Sequence, residues 1–169
     1  GVMGWSQGGT DALLAAEAHP GTFQAVVTWS GALELNGASL FAGTSFEDAY
    51  AQAKKEGFYT MTFDWREPLE LGERWFQEVA ETNILKVTAD IKAPILAING
   101  KDDTTVTPDN AEKIVKAAAN ADSQLLLVDN CDHTYNVFSG DFTALYQTVD
   151  ATAAFFQAQL IPAAAQAAA

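Results

Sequence analysis

Cysteine is nearly absent from this chain of 169 residues. The single one, Cys131, excludes an internal disulfide framework and any metal site built from several cysteines. One thiol suits a reducing compartment, a slight lean toward the cytoplasm that leaves localisation open. Basic residues are scarce as well: 9 Lys and Arg stand against 22 Asp and Glu, for a formal net charge of −13. Nucleic-acid binding demands cations that displace phosphate counterions, so the charge argues against that class and equally disfavours anionic membrane surfaces and highly phosphorylated substrates. No run of about eighteen apolar residues occurs, which excludes a helical membrane span. Nothing suggests a metal or another cofactor. No signal peptide is visible, but the chain opens on Gly1-Val2-Met3, already inside an apolar run. A natural N-terminus further upstream is therefore expected. What is plentiful is apolar surface: hydrophobic residues make up 49% of the chain, enough for a sizeable core rather than disorder.

The order of local patterns is informative. Val2-Met3 reads as the end of a buried strand that breaks at Gly4. Thr10 to Ala18 is rich in helix formers and stops before Pro20-Gly21, and Phe23 to Trp29 has strand composition. Strand, sharp turn, helix and strand make a βαβ unit, which implies a parallel sheet and an α/β class. The stretch from about 37 to 92 is less regular and reads as a lid-like insertion, an excursion too short to own a core. Within it a helix is expected over Ser45 to Glu56, with Ser45 as N-cap and Gly57 as terminator. An extended arm is expected from Phe58 to Trp65. A helix is expected over Leu71 to Leu85, with Trp75, Phe76 and Val79 on one face. Order returns with a strand over Pro94 to Asn99, a helix starting at Thr107-Pro108, a strand over Gln124 to Val128, and a last helix from Phe142 to Leu160. The expectation is one partial domain over 1–162 and an Ala-rich tail over 163–169.

Gly4-Trp5-Ser6-Gln7-Gly8 matches G-x-S-x-G at a strand-to-helix turn, the setting in which a nucleophile elbow raises a serine Oγ above the sheet. Gly4 and Gly8 are expected to be glycine because larger side chains would collide with the adjoining strand and helix. The N–H of Gln7, opening the helix, is a candidate oxyanion donor. A serine needs a base. Of two histidines, His19 ends the first helix beside Pro20, whereas His133 lies in the loop after the last strand, at the sheet edge where ligand sites gather. The base in turn needs a carboxylate, and Asp102 and Asp103 both follow the strand ending at Asn99. The order Ser, Asp, His is that of one hydrolase class.

On these residues the chain resembles the α/β-hydrolase family, in its esterase, dienelactone-hydrolase-like or prolyl-oligopeptidase-like branches. The matching stretches are Gly4-Trp5-Ser6-Gln7-Gly8-Gly9, Ile98 to Pro108, and Asp132-His133-Thr134-Tyr135. The resemblance implies a fold made of the C-terminal half of a mostly parallel sheet flanked by helices. It also implies that the first strands and a second oxyanion donor lie upstream, so that these residues alone would be poorly active. Its register, with Gly100, Val106 and Pro108 around the acid, points to Asp103 over Asp102. Dienelactone hydrolases carry a cysteine at the elbow; here that position is Ser6, and Cys131 reads as a small packed side chain. Trp5, Trp29 and Trp75 are candidates to line a substrate pocket, beside the ordinary reading that aromatics bury core area.

The implied function is hydrolysis of a small-molecule carboxylic ester through an acyl-enzyme on a Ser6, His133, Asp103 triad. A serine peptidase of the prolyl-oligopeptidase type and a non-catalytic binding member of the fold are the alternatives.

Overall fold

The computed structural model describes residues 1–41, 43–63 and 66–161. The Ala-rich tail and the Asp64-Trp65 end of the expected arm lie outside the described residues. In chain order the elements are β1 (Val2–Trp5), α1 (Gln7–Ala18), β2 (Val26–Trp29), a 3-10 turn at Ala38–Phe41, α2 (Phe46–Glu56) and β3 (Phe58–Met61). There follow β4 (Leu69–Gly72), α3 (Glu73–Glu81), α4 (Ile84–Asp90), β5 (Ile95–Gly100), α5 (Asp109–Ala117), β6 (Gln124–Val128) and α6 (Thr143–Leu160). Two compact units emerge, Gly1–Leu33 with the chain from Ile84 onward, and Glu34–Asn83.

The first unit is built on a four-stranded, wholly parallel sheet in the order β1-β2-β5-β6. This is the mixed α/β architecture with a parallel sheet that the βαβ pattern implies. Gly4, Thr28, Ala97 and Leu125 share one register row. Alternation along the strands feeds two cores. Val26, Ile95 and Ala97 join Leu13 of α1, Ile84 of α4 and Ile114 of α5 on one face. Val27, Leu96 and Ile98 join Val128, Cys131, Tyr135 and Phe155 on the face covered by α6. Every residue of β5 is buried, as suits a central parallel strand covered on both sides. Each fully buried Ile there contributes about 1.5–3 kcal/mol relative to an exposed one.

The second unit owns a core, contrary to the reading of this stretch as too short to have one. Phe41, Phe46, Ala49, Ala53, Met61 and Phe76 form a separate buried cluster. Helix α2 forms as its sequence dictates: the Ser45 hydroxyl accepts from the N–H of Asp48 at 3.0 Å, and Gly57 ends the helix at φ 90°. The expected single helix over Leu71 to Leu85 does not exist. Leu69–Gly72 pairs antiparallel with Phe58–Met61, and the helical part is split at Thr82, whose backbone is extended. The Thr82 hydroxyl bonds the Glu78 carbonyl at 2.6 Å, the local competition that makes threonine a poor helix interior. Helix α4, counted with the insertion in sequence, contributes Ile84 to the sheet unit's core instead. No helix among the described residues is long and apolar enough to cross a membrane.

Candidate active site

Strands β1 and β2 end in register opposite Ile98 of β5, which runs two residues further to Gly100, and the backbone ladder continues one step beyond β1 and β2. The N–H of Ser6 donates to Trp29 O at 2.8 Å, and that of Ser30 to Ile98 O at 2.7 Å. Ser6 occupies the turn from β1 to α1 with φ 56° and ψ −124°, outside the ordinary regions for a residue with a Cβ. Such a conformation costs about 1–3 kcal/mol and persists where its surroundings over-determine it. Gly4 and Gly9 are among those surroundings. A Cβ on Gly4 would meet Gly8 O at 1.8 Å, and one on Gly9 would meet the Cα of Gly31 at 2.7 Å. Gly8 is different: a Cβ there would meet nothing within 4 Å. The expectation that both motif glycines are sterically required therefore holds for Gly4 and fails for Gly8, because the close approach falls one residue later, at Gly9. Gln7 is the first residue of α1, where a backbone N–H has no acceptor within the helix.

The turn brings Ser6 to the two residues that the sequence placed after β5 and β6. Ser6 Oγ lies 3.1 Å from His133 Nε2, and His133 Nδ1 lies 2.8 Å from Asp103 Oδ2. Ser6 and His133 are half-buried, while Asp103 is 2% exposed. Of the adjacent carboxylates, then, Asp103 meets the histidine, and Asp102 remains exposed at the surface. Burial would push the Asp103 carboxyl up. Hydrogen bonds from His133, the Val106 N–H and Ser30, with the charge attraction of His133, outweigh it and hold the group below its ordinary value. Its second oxygen accepts from the N–H groups of Thr105 and Val106 at 2.9 and 2.8 Å. An ionised carboxylate fixes the imidazole so that Nδ1–H donates to Asp103 and Nε2 is free to accept from Ser6.

The loop carrying His133 is held from within. Asp132 Oδ1 accepts from the N–H of Thr134 at 2.8 Å and that of Asn136 at 2.9 Å, with the Thr134 hydroxyl at 2.8 Å. Those bonds overcome desolvation and keep Asp132 below the usual carboxylate range. The acid loop is stitched alongside: the N–H of Asp102 donates to Cys131 O at 3.0 Å, and a Cβ on Gly100 would meet that same oxygen at 2.1 Å. Cys131 is fully buried, and burial with the charges of Asp132, Asp103 and Asp102 pushes its thiol up to about 11. It is therefore a protonated, packed side chain at neutral pH.

The three tryptophans part company. Trp5 donates through Nε1 to His133 O at 2.9 Å. Trp29 turns to α6, where its Nε1 bonds Thr152 Oγ1 at 2.9 Å and its ring lies 5.1 Å from that of Tyr135. Trp75 belongs to the second unit and packs on Phe41 and Phe76. His19 is exposed at the C-terminus of α1.

Residues 1–161 match the model of the prolyl oligopeptidase family. The chain belongs to that family. No curated protein matches it at a significant level. Among solved structures it is similar to Est1E from Butyrivibrio proteoclasticus, at 18% identity and a TM-score of 0.64, over 95% of this chain and 61% of that one. It is also similar to a Paleococcus ferrophilus monoacylglycerol lipase, at 21% identity and TM-score 0.58, over 78% of this chain and 58% of that one. The esterase domain of a Rhodothermus marinus protein gives 18% identity and TM-score 0.58, over 85% and 58%. At such identities the likeness is one of fold, the α/β-hydrolase fold. The chain spans 58–61% of the length of these three structures.

Within this prolyl oligopeptidase family member, sequence reasoning passed over Ser30, Asn99 and Tyr135. Ser30 is fully buried at φ 46° directly after β2, with its Oγ 3.2 Å from Tyr135 Oη. Asn99 is fully buried, and its Nδ2 reaches Val106 O at 2.9 Å and Asp103 Oδ2 at 3.4 Å. A buried serine closing a strand and an asparagine ending an otherwise apolar run were the available signals. Burying such groups costs free energy unless they are hydrogen-bonded, and Asn99 Oδ1 has no partner among the described residues.

Proposed function

We propose that this chain carries the catalytic triad of a serine hydrolase that cleaves carboxylic esters, with Ser6 as nucleophile, His133 as base and Asp103 as the orienting carboxylate. The observation that carries the reading is the unbroken contact Ser6 Oγ to His133 Nε2 at 3.1 Å and His133 Nδ1 to Asp103 Oδ2 at 2.8 Å. Ser6 Oγ attacks the ester carbonyl carbon as its proton passes to His133 Nε2. The oxyanion of the tetrahedral intermediate accepts the Gln7 N–H at the start of α1, where the helix dipole favours negative charge. Collapse expels the alcohol, which takes the proton back from His133 and leaves an acyl group on Ser6. Water, deprotonated by His133, then releases the carboxylic acid and restores the serine. Asp103 stays ionised throughout and stabilises the imidazolium.

Ester substrates are supported by the company the fold keeps: a monoacylglycerol lipase, an esterase domain and an Est1E structure with ferulic acid bound. The family match over residues 1–161 favours a second reading, cleavage of a peptide bond by the same triad. A panel of p-nitrophenyl esters and of proline-containing peptide anilides, run on the wild-type protein and Ser6→Ala, separates them. The ester reading predicts Ser6-dependent turnover of esters with kcat/KM at least about tenfold above any anilide. Ser6-dependent turnover confined to anilides would transfer the assignment to the peptidase.

A further inference from the structure

The indole of Trp5 reaches across to the histidine loop. It lies on β1, one covalent step before Ser6, and its Nε1–H donates to the carbonyl oxygen of His133 itself at 2.9 Å. The indole and imidazole ring centroids are 5.3 Å apart, with the planes inclined by 38°. These contacts close a ring of three links. Trp5 joins Ser6 through the backbone, Ser6 Oγ meets His133 Nε2, and His133 O returns to Trp5 Nε1. The elements that must agree for proton transfer, a strand end and a loop more than a hundred residues away in sequence, are thereby tied at the residues that react. The internal hydrogen bonds of the histidine loop run from Asp132 to Thr134 and Asn136 and shape the loop without reference to β1. The Trp5 bond does refer to β1.

We infer that Trp5 is a positioning residue for His133: its N–H fixes the histidine peptide relative to the nucleophile, and its ring face backs the imidazole. The inference rests on the triad assignment above. It assigns Trp5 a different task from lining a pocket, and the two tasks leave different kinetic marks. A pocket wall contributes to ground-state and transition-state binding alike, so its loss raises KM. A clamp on the base acts when the proton moves, because an imidazole displaced by a fraction of an ångström transfers it poorly, and its loss lowers kcat. The indole face adds to this in the same direction, since it attracts the imidazolium that exists only after transfer.

The test uses two substitutions at position 5 in the full chain. Trp5→Phe keeps an aromatic ring and removes the N–H. Replacing Trp5 by β-(3-benzothienyl)alanine exchanges the N–H for sulfur while preserving the shape of the indole, so a folding defect cannot account for its behaviour. Thermal melting checks that both variants are folded. For hydrolysis of a p-nitrophenyl ester, each is expected to lose roughly 3- to 30-fold in kcat with KM within about twofold of wild type. A spectroscopic arm is independent of rate. Wild-type tryptophan fluorescence minus that of Trp5→Phe is expected to change with pH along the acid limb of kcat/KM, because the indole senses the charge of the imidazole against it. The titratable group bonded to that imidazole is Asp103, and Asp132 and Cys131 precede the histidine in the loop. A raised KM with kcat intact, unchanged kinetics in both variants, or a fluorescence difference indifferent to pH would each overturn the inference. Ser6→Ala, run alongside, keeps the outcomes apart: persistent hydrolysis in that variant defeats the triad assignment itself, whereas silence at position 5 alone defeats only the clamp.

Discussion

At Gly4 an added Cβ would lie 1.8 Å from a backbone oxygen, whereas at Gly8 it would meet nothing within 4 Å. Two glycines of one short motif thus stand under different constraints, and a pair of variants exposes the difference. Gly8→Ala is expected to fold, to keep Ser6-dependent activity and to gain about 0.5–1 kcal/mol from a stiffer helix start. Gly4→Ala should lower the melting temperature by several degrees or abolish folding; equal melting of the two variants would contradict this account. Asp103 carries a second prediction. Its folded-state pKa is held below the ordinary 3.8, so its contribution to stability is complete above that value and is lost as pH falls through the folded value. The stability advantage of wild type over Asp103→Asn should therefore be constant above about pH 5 and shrink toward pH 2. Denaturant unfolding at a series of pH values measures it, and an advantage that grows on acidification would refute the sign. At this scale the meeting of Ser6, His133 and Asp103 was legible, because few residue types fit the proposed chemistry. The contributions of Ser30, Tyr135 and Asn99 were not, since a hydroxyl or amide in an apolar run declares no partner until the fold supplies one.

At the scale of elements, the regular stretches were legible where local signals agreed with tertiary packing. Gln124–Val128 and the Ser45-capped helix α2 came out of the sequence nearly residue for residue, the second because a cap, acidic first turn and terminal glycine all point one way. Strand β4 was hidden. Leu69-Glu70-Leu71-Gly72 is four residues long, and its alternation acquires meaning only beside Phe58–Met61, which it pairs. Phe76 does lie on the apolar helix face that the spacing implies, but its surroundings do not follow from the sequence. It is fully buried, and the rings of Phe41, Phe46, Tyr50, Tyr59 and Trp75 lie 5.0–6.3 Å from it. Phe76→Ala should cost about 3–5 kcal/mol of local stability. Hydrogen exchange would register it as lost protection in α2, β3 and β4, and undiminished protection there would mean that the cluster does not hold the unit together.

At the scale of the whole molecule, a parallel sheet carries the candidate site and a second compact unit, Glu34–Asn83, has its own core. The sheet was legible because βαβ alternation leaves few arrangements open. The second unit was not, because its core is assembled from short aromatic segments with no common period. Parallel strands set Ser6, Asp103 and His133 along one edge, each in the loop that follows a strand. Everything proposed for this protein passes through Ser6, and one measurement addresses it directly. A fluorophosphonate probe phosphonylates an activated serine and no resting hydroxyl. Incubated with the full chain and mapped by peptide mass spectrometry, it should label Ser6 stoichiometrically in wild type, label Asp103→Asn far more slowly, and leave Ser6→Ala unmodified. Labelling that survives in Ser6→Ala, or its absence from folded wild-type protein, would contradict the account.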